Sequence, residues 1–183
     1  MLGFAGVDAN RQQAIAPDLT GHDFSGLMAS PASAPVDAVR KGALYNFNMW
    51  LFQDPEFLHQ VIAGLRKGQD AGKLGLELDL GRRGAIRSIT DGRYRFSRYF
   101  SPKQHNLPAS MEQLFGYNDV ELYDLRSDPN ELRNLAADRN SNGDLLLAMN
   151  QKLNSNIEAE VGSDNGEFLP ENKKGWAVTH FDP

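Results

Sequence analysis

The chain has 183 residues, 40% of them hydrophobic, and its 19 basic and 24 acidic side chains give a formal net charge of -5. This length and apolar content suffice for one globular domain, while charges of both signs mixed along the chain argue against a nucleic-acid partner. With no cysteine, the chain cannot contain disulfides, thiolate metal sites or a cysteine nucleophile. No apolar run approaches the roughly 20 residues of a membrane span, and a signal-peptide pattern is missing, so we expect a soluble chain.

The first 35 residues are short apolar pieces separated by turn residues, and they do not read as a unit. The opening stretch MLGFAG is typical of a helix end, which predicts that a longer protein continues upstream. The stretch GALYNFNMW, rich in aromatic residues, favours a strand. Asp54 then suits a helix N-cap and Pro55 a first helical position, which predicts an amphipathic helix.

The segment AIRSITDGRYRFSRYF predicts a β-hairpin, because Asp91-Gly92 is a preferred two-residue turn between β-forming flanks. Such a turn would pair Ile89 with Tyr94 and Arg87 with Phe96 on one face of the sheet. The opposite face would carry Thr90, Arg93 and Arg95. We interpret these arginines as solvated, with an oxyanion-facing role as the alternative.

A loop of mixed turn residues follows, from Ser101 to Asn118. Because a loop between two strands can project toward a neighbouring pocket, we name His105 and Lys103 as candidate substrate-binding residues. A solvated loop histidine without chemistry is the alternative. The residues predict no catalytic group and no metal ligand anywhere in the chain.

The stretch VELYDL alternates as a half-buried strand does, and Asp128 and Pro129 then suit the start of a helical turn. We expect Leu132 and Leu135 of that turn to fold back onto the sheet. The longest helix is predicted over residues 141–162, from apolar residues that recur in steps of four. These residues are Leu145, Met149, Leu153, Ile157 and Val161.

Together these elements predict an α+β fold with a small antiparallel sheet of about four strands, drawn from residues 43–48, 84–100 and 119–125. The helix at 141–162 should cover one face of the sheet. We expect the other face to be apolar and to meet a further domain.

The hairpin, the string ELYDLRSDPNELRNLA and a long helix ending in EAEVG resemble, in this order, the C-terminal subdomain of the sulfatases of the alkaline phosphatase superfamily. The stretches LGFAGV and PDLTGHDFSGLM are similar to the segments that close the large domain of that family. The resemblance implies three regions: 1–35 as a remnant of the large α/β catalytic domain, 36–170 as the C-terminal subdomain, and 171–183 as a tail.

The resemblance further implies that the parent protein is an arylsulfatase-like sulfuric ester hydrolase, with a periplasmic or extracellular location plausible for it. Such enzymes use a formylglycine made within Cys/Ser-x-Pro-x-Arg and a divalent cation such as calcium. Neither Ser30-Pro31 nor Ser101-Pro102 continues as this motif, so the chain alone should hold no cofactor and be inactive. Asp164-Asn165 resembles part of the metal site, but it follows a polar helix end, and we interpret it as a loop.

The expected partners are the missing N-terminal catalytic domain and, in the full-length protein, a sulfate ester, with self-association of the chain on its own. Two other hypotheses stay open. A phosphonate or phosphodiester hydrolase of the same superfamily could share this layout, and a non-catalytic interaction module would explain the lack of catalytic groups. A Cys/Ser-x-Pro-x-Arg motif upstream would decide for a sulfatase.

Overall fold

The computed structural model describes residues 2–17, 21–49, 52, 54–102, 107–162, 171–172 and 175–176. Its α-helices are α1 (Ala9–Ile15), α2 (Ser25–Ala29), α3 (Pro55–Arg66), α4 (Met111–Tyr117) and α5 (Arg139–Glu160). Its strands are β1 (Ala43–Asn48), β2 (Ala85–Thr90), β3 (Tyr94–Phe100), β4 (Asn118–Asp124), β5 (Glu171–Asn172) and β6 (Gly175–Trp176). Short 3-10 helices cover Gly3–Ala5, Pro31–Ser33, Ala71–Lys73 and Leu135–Ala137.

Strands β1 to β4 form an antiparallel sheet in the order β1-β2-β3-β4, and α5 packs on one face of it. The α+β class predicted from the sequence is therefore confirmed, with the four strands and the long helix in the expected roles. The core lies between sheet and helix, with α4 at one end, because alternate strand residues and one stripe of α5 point toward each other. Its buried members are Ile89, Phe96, Leu114, Val120, Leu122, Ala136, Leu146, Met149, Leu153 and Ile157.

Helix α5 begins earlier than its apolar repeat suggests. The carboxylate of Asp138 accepts a hydrogen bond from the backbone N–H of Ser141 at 3.1 Å, so Asp138 is the N-cap and Ser141 already lies inside the helix. At the other end Val161 follows the last helical residue and is exposed. Of the predicted apolar residues, Met149, Leu153 and Ile157 are buried as expected, whereas Val161 lies beyond the helix and is exposed.

The hairpin between β2 and β3 has a different register from the predicted one. Ile89 lies opposite Phe96 and Arg87 opposite Arg98, a shift of two residues. The carboxylate of Asp91 accepts from the backbone N–H groups of Arg93 at 3.0 Å and Tyr94 at 2.7 Å. This side-chain bonding moves the turn one residue along, to 92–93, with φ of +94° at position 92. Because the shift is even, the strand side chains keep their predicted faces, whereas Arg93 lies in the turn and not on the open face.

The segment after β4 does not form the helical turn predicted at Pro129. The carboxylate of Asp128 accepts from the N–H groups of Leu132 at 3.1 Å and Arg133 at 2.8 Å, which holds a non-helical loop. Glu131 adopts a left-handed φ of +57° in this loop, a conformation incompatible with a helix. Leu132 is consequently 85% exposed, contrary to expectation, whereas Leu135 packs against the core.

The sheet face away from α5 is not the continuous apolar surface that we expected. Tyr45 and Phe47 are exposed there, but serine, threonine, arginine and glutamate side chains lie between and beside the apolar ones. Successive side chains of a strand point to opposite faces of the sheet. The mixture of polar and apolar side chains on this face therefore follows from the polar residues in the strand sequences IRSIT and RFSRY.

The first part of the chain contacts the end of α5, where Nε2 of His22 lies 3.0 Å from Oε1 of Glu160. Several large apolar side chains of this part are exposed: Phe4, Ile15, Phe24 and Met28. The assignment of residues 1–35 to a separate domain stays a prediction. Within the described ranges, no helix is both long enough and apolar enough to cross a membrane.

Candidate functional site

The loop between β3 and β4, in which the sequence predicts substrate-binding residues, is firmly held on both sides. On the β3 side the Ser101 hydroxyl donates to the carbonyl oxygen of Leu80 at 2.6 Å, and Pro102 is buried. On the other side Pro108 is buried, and Ser110 caps α4 by accepting from the N–H of Gln113 at 3.2 Å. The chain therefore leaves and re-enters the core at defined points.

A buried polar network ties this loop to α5 and to the sheet. Nη1 of Arg98 donates to Oδ1 of Asn150 at 2.7 Å and to Oδ1 of Asn154 at 2.8 Å. The amide nitrogens of the same two asparagines donate to the carbonyl oxygen of Pro108, at 2.6 and 3.0 Å. Because the asparagines are four residues apart on one helix face, both reach the same guanidinium and the same carbonyl.

Arg98 is only 1% exposed, and Arg87, its neighbour on β2, is also buried. Burial lowers the pKa of Arg98 to about 9, with a further decrease from the positive charge of Arg87. Burial likewise lowers the pKa of Arg87 to about 10, and its guanidinium lies 5.1 Å from the centre of the Phe100 ring. Both groups are charged at neutral pH, so two positive charges lie at the sheet end from which the loop leaves.

The two predicted site residues, Lys103 and His105, lie in the segment 103–106, outside the described residues. The Asp164-Asn165 pair, interpreted as a loop, also lies outside them. The structure therefore describes the residues flanking the predicted site and not the site residues themselves, whose roles stay predictions.

No group of three or more histidine, aspartate or glutamate side chains comes close enough to hold a metal ion within the part of the chain that the structure describes. The sequence also has no Cys/Ser-x-Pro-x-Arg motif in which a formylglycine could form. The described residues therefore offer no fitting site for the cation or the formylglycine of a sulfatase, and we derive no reaction step through either group.

Sequence reasoning missed the network of Arg98, Asn150 and Asn154, although two signals pointed to it. The alternation that places Ile89 and Phe96 on the buried face places both Arg87 and Arg98 on that face as well. Asparagines spaced by four beside the apolar stripe of α5 also indicate a polar group facing the helix, since buried polar groups are hydrogen-bonded.

Comparison with solved structures finds nine similar chains. One is BT4656, solved in complex with its substrate D-glucosamine-2-N,6-O-disulfate; the match has a TM-score of 0.52, 16% identity, and covers 91% of this chain and 24% of BT4656. Another is the phosphonate monoester hydrolase of Agrobacterium radiobacter, with a TM-score of 0.38, 21% identity and coverage of 78% and 21%. No family model and no curated protein matches the chain.

The chain thus spans about a quarter of the length of BT4656. At 16% identity this likeness concerns the fold alone, and it bears out at that level the resemblance that the sequence motifs suggested. The four-stranded sheet, the long helix and their order along the chain correspond to part of the fold of BT4656.

Proposed function

We propose that the chain is the C-terminal portion of a sulfatase-type sulfuric ester hydrolase, which packs against a catalytic domain and lines its substrate pocket. The observation that carries the proposal is the fold match of 91% of the chain to BT4656, whose substrate is a glucosamine disulfate. The order of the hairpin, the LYDL segment and the long helix along the sequence supports it independently.

Within this proposal His105 contacts the sulfate group of the substrate, and Lys103 is the second contact. A protonated imidazole or an ammonium group can donate a hydrogen bond to a sulfate oxygen and attract its charge. The buried charges of Arg87 and Arg98 support this role, because they make the sheet end beside the loop more favourable for an anion.

The contact with the catalytic domain involves the first part of the chain in our proposal. Exposed apolar side chains in α1, in α2 and at its N-cap, and in the preceding 3-10 helix would be removed from water there; they are Phe4, Ile15, Phe24 and Met28. The same side chains would promote self-association of the chain on its own. A periplasmic or extracellular location and a calcium- and formylglycine-dependent catalytic domain complete the proposal.

The test uses the longer protein that would contain this chain. In it, His105→Ala should lower kcat/KM for a sulfate ester at least tenfold, about 1.4 kcal/mol of transition-state stabilisation, with nearly unchanged thermal stability. His59→Ala, which removes an exposed histidine from α3, is the matched control and should leave kcat/KM unchanged. Equal kinetics for the two variants would remove His105 from the site.

The substrate class is tested in the same protein by comparing a sulfate monoester, a phosphonate monoester and a phosphodiester. Preferred hydrolysis of the sulfate ester supports the proposal, as does a Cys/Ser-x-Pro-x-Arg motif in the preceding sequence. Preferred hydrolysis of either phosphorus ester would assign the chain to that branch of the superfamily. A longer protein without the motif and without any of these activities would indicate a non-catalytic interaction module.

A further inference from the structure

The sheet face opposite α5 contains a trough whose floor is made of two serines. Cross-strand pairing places Tyr45 opposite Ser88, Ser88 opposite Ser97, and Ser97 opposite Glu121. The serine hydroxyls are 2.9 Å apart and both residues are buried, although no helix of the described residues covers them. Larger side chains on the neighbouring rows rise around these small ones, which leaves a depression of about 550 Å³. This volume is within the range of small-molecule sites.

Tyr45 lines one side of the trough, and Phe47 stacks against Tyr45 just outside the lining. Tyr45 and Phe47 lie on the same side of the edge strand β1, with ring centres 6.4 Å apart and ring planes inclined by 24°. The two residues are 55% and 46% exposed, so the stacked pair presents a flat apolar surface to solvent. Among the described residues, no side chain from elsewhere forms a ring contact with this pair.

The opposite wall consists of hydrogen-bonding groups held in place by one another. The hydroxyl of Tyr99 donates to Glu121 at 3.1 Å, and burial together with this carboxylate raises the pKa of Tyr99 to about 12. Nη1 of Arg95 donates to Glu131 at 2.5 Å. With one arginine and two glutamates, the charged groups lining the trough sum to a net negative charge.

We propose that this trough binds an uncharged saccharide, a β-linked chain of sugars with equatorial hydroxyls. The C–H face of such a ring is apolar and flat and can stack on an aromatic wall, while its hydroxyl rim needs donors and acceptors on the other side. The net negative lining disfavours sulfated sugars. The trough is defined by residues of this chain alone, and neither proposal depends on the other.

The test is a titration of the isotope-labelled 183-residue chain with cellotriose, followed by the backbone amide signals. We expect saturable shifts confined to the open-face residues of β1, β2 and β3. Tyr45→Ala should weaken binding at least tenfold, whereas Tyr117→Ala, which removes an exposed tyrosine from α4, should not change it. Glu121→Gln keeps the side-chain size and should also weaken binding, which provides a second variant should Tyr45→Ala fail to fold.

Three results would overturn the proposal. The first is the absence of saturable shifts up to about 10 mM cellotriose, a concentration at which even weak specific binding is measurable. The second is tighter binding of a disulfated glucosamine disaccharide than of cellotriose at the same residues. The third is a dimer of the chain that Tyr45→Ala dissociates, since the face would then be a protein interface.

Discussion

At the scale of single residues, the most consequential group is the guanidinium of Arg98. It is buried between β3 and α5 and bonds to two neutral amides rather than to a carboxylate within the described part of the chain. A buried charge needs several strong hydrogen bonds to offset the loss of water. The asparagine network therefore stabilises the charge and also bonds the Pro108 carbonyl, at the described end of the loop.

The first prediction concerns Asn150. Asn150→Ala should lower the free energy of unfolding by about 2 to 3 kcal/mol, because it leaves both the Arg98 guanidinium and the Pro108 carbonyl with one partner fewer. Gln151→Ala, which truncates an exposed amide on the next position of α5, is the control and should change stability by less than about 0.5 kcal/mol. Urea denaturation of both variants measures the difference, and similar midpoints would contradict the role of the network.

At the scale of elements, the β2–β3 turn is fastened on two sides. Lys152 of α5 donates to the carboxylate of Asp91 at 2.6 Å, and Arg93 donates to the carboxylate of Asp124 at the end of β4 at 2.8 Å. Burial alone would raise the pKa of Asp91, but the bonds from Lys152 and two backbone N–H groups outweigh it and lower that pKa. Helix α5, the β2–β3 hairpin and strand β4 are therefore joined at this turn.

The second prediction is a dependence of stability on acid. Hydrogen bonds from Arg93 lower the pKa of Asp124 to about 2, below the roughly 3.9 of an unfolded chain. The carboxylate therefore stabilises the folded state above about pH 4, and this contribution is lost as the pH falls from about 4 to 2. Asp124→Asn should lose less of its urea midpoint than the parent chain between pH 5 and pH 2.5. Asp37→Asn, at an exposed position, should follow the parent; parallel curves for all three would refute the linkage.

The third prediction concerns the segment between β4 and α5. Oδ1 of Asn134 accepts from the N–H groups of Leu122 at 3.0 Å and Ala136 at 2.9 Å, and its amide donates to the Val120 carbonyl at 3.1 Å. The Asn134 side chain thus satisfies backbone groups on the edge of β4 that no neighbouring strand pairs with. Asn134→Ala should cost about 2 kcal/mol, since three backbone groups lose a partner.

The control for this variant is Asn130→Ala, at an exposed position of the same segment, which should be close to neutral. Amide exchange at Leu122 and Ala136 provides a second readout. Unchanged protection of both amides in Asn134→Ala would show that the side chain does not hold the edge.

At the scale of the whole molecule, the fourth prediction is that the 183-residue chain by itself hydrolyses neither aryl sulfates nor phosphonate esters. The sequence contains no Cys/Ser-x-Pro-x-Arg motif, and no metal-binding cluster is found among the described residues, so we expect the chain to lack the activated nucleophile that these reactions need. The measurement is turnover of chromogenic esters by the purified chain. Esterase activity that copurifies with the chain and changes when the chain is mutated would refute the proposal that catalysis belongs to a separate domain.

Much of this architecture could be predicted from the sequence because it rests on local patterns. Alternation along the strands, steps of four along α5 and the cap at Asp54 each depend on residues close together in the chain. The faces of the hairpin's strand residues were also predictable, since alternation survives an even shift in register. The α+β class followed from these patterns in order, without any knowledge of the partners across the sheet.

Only the tertiary structure decided which polar groups meet. The ion pairs at the β2–β3 turn join residues far apart in the chain, Lys152 with Asp91 and Arg93 with Asp124. The pairing of Arg98 with two asparagines more than fifty positions away joins residues that no local pattern connects. Local patterns determine which side of an element is buried, whereas the partner of a buried polar group depends on how whole elements pack.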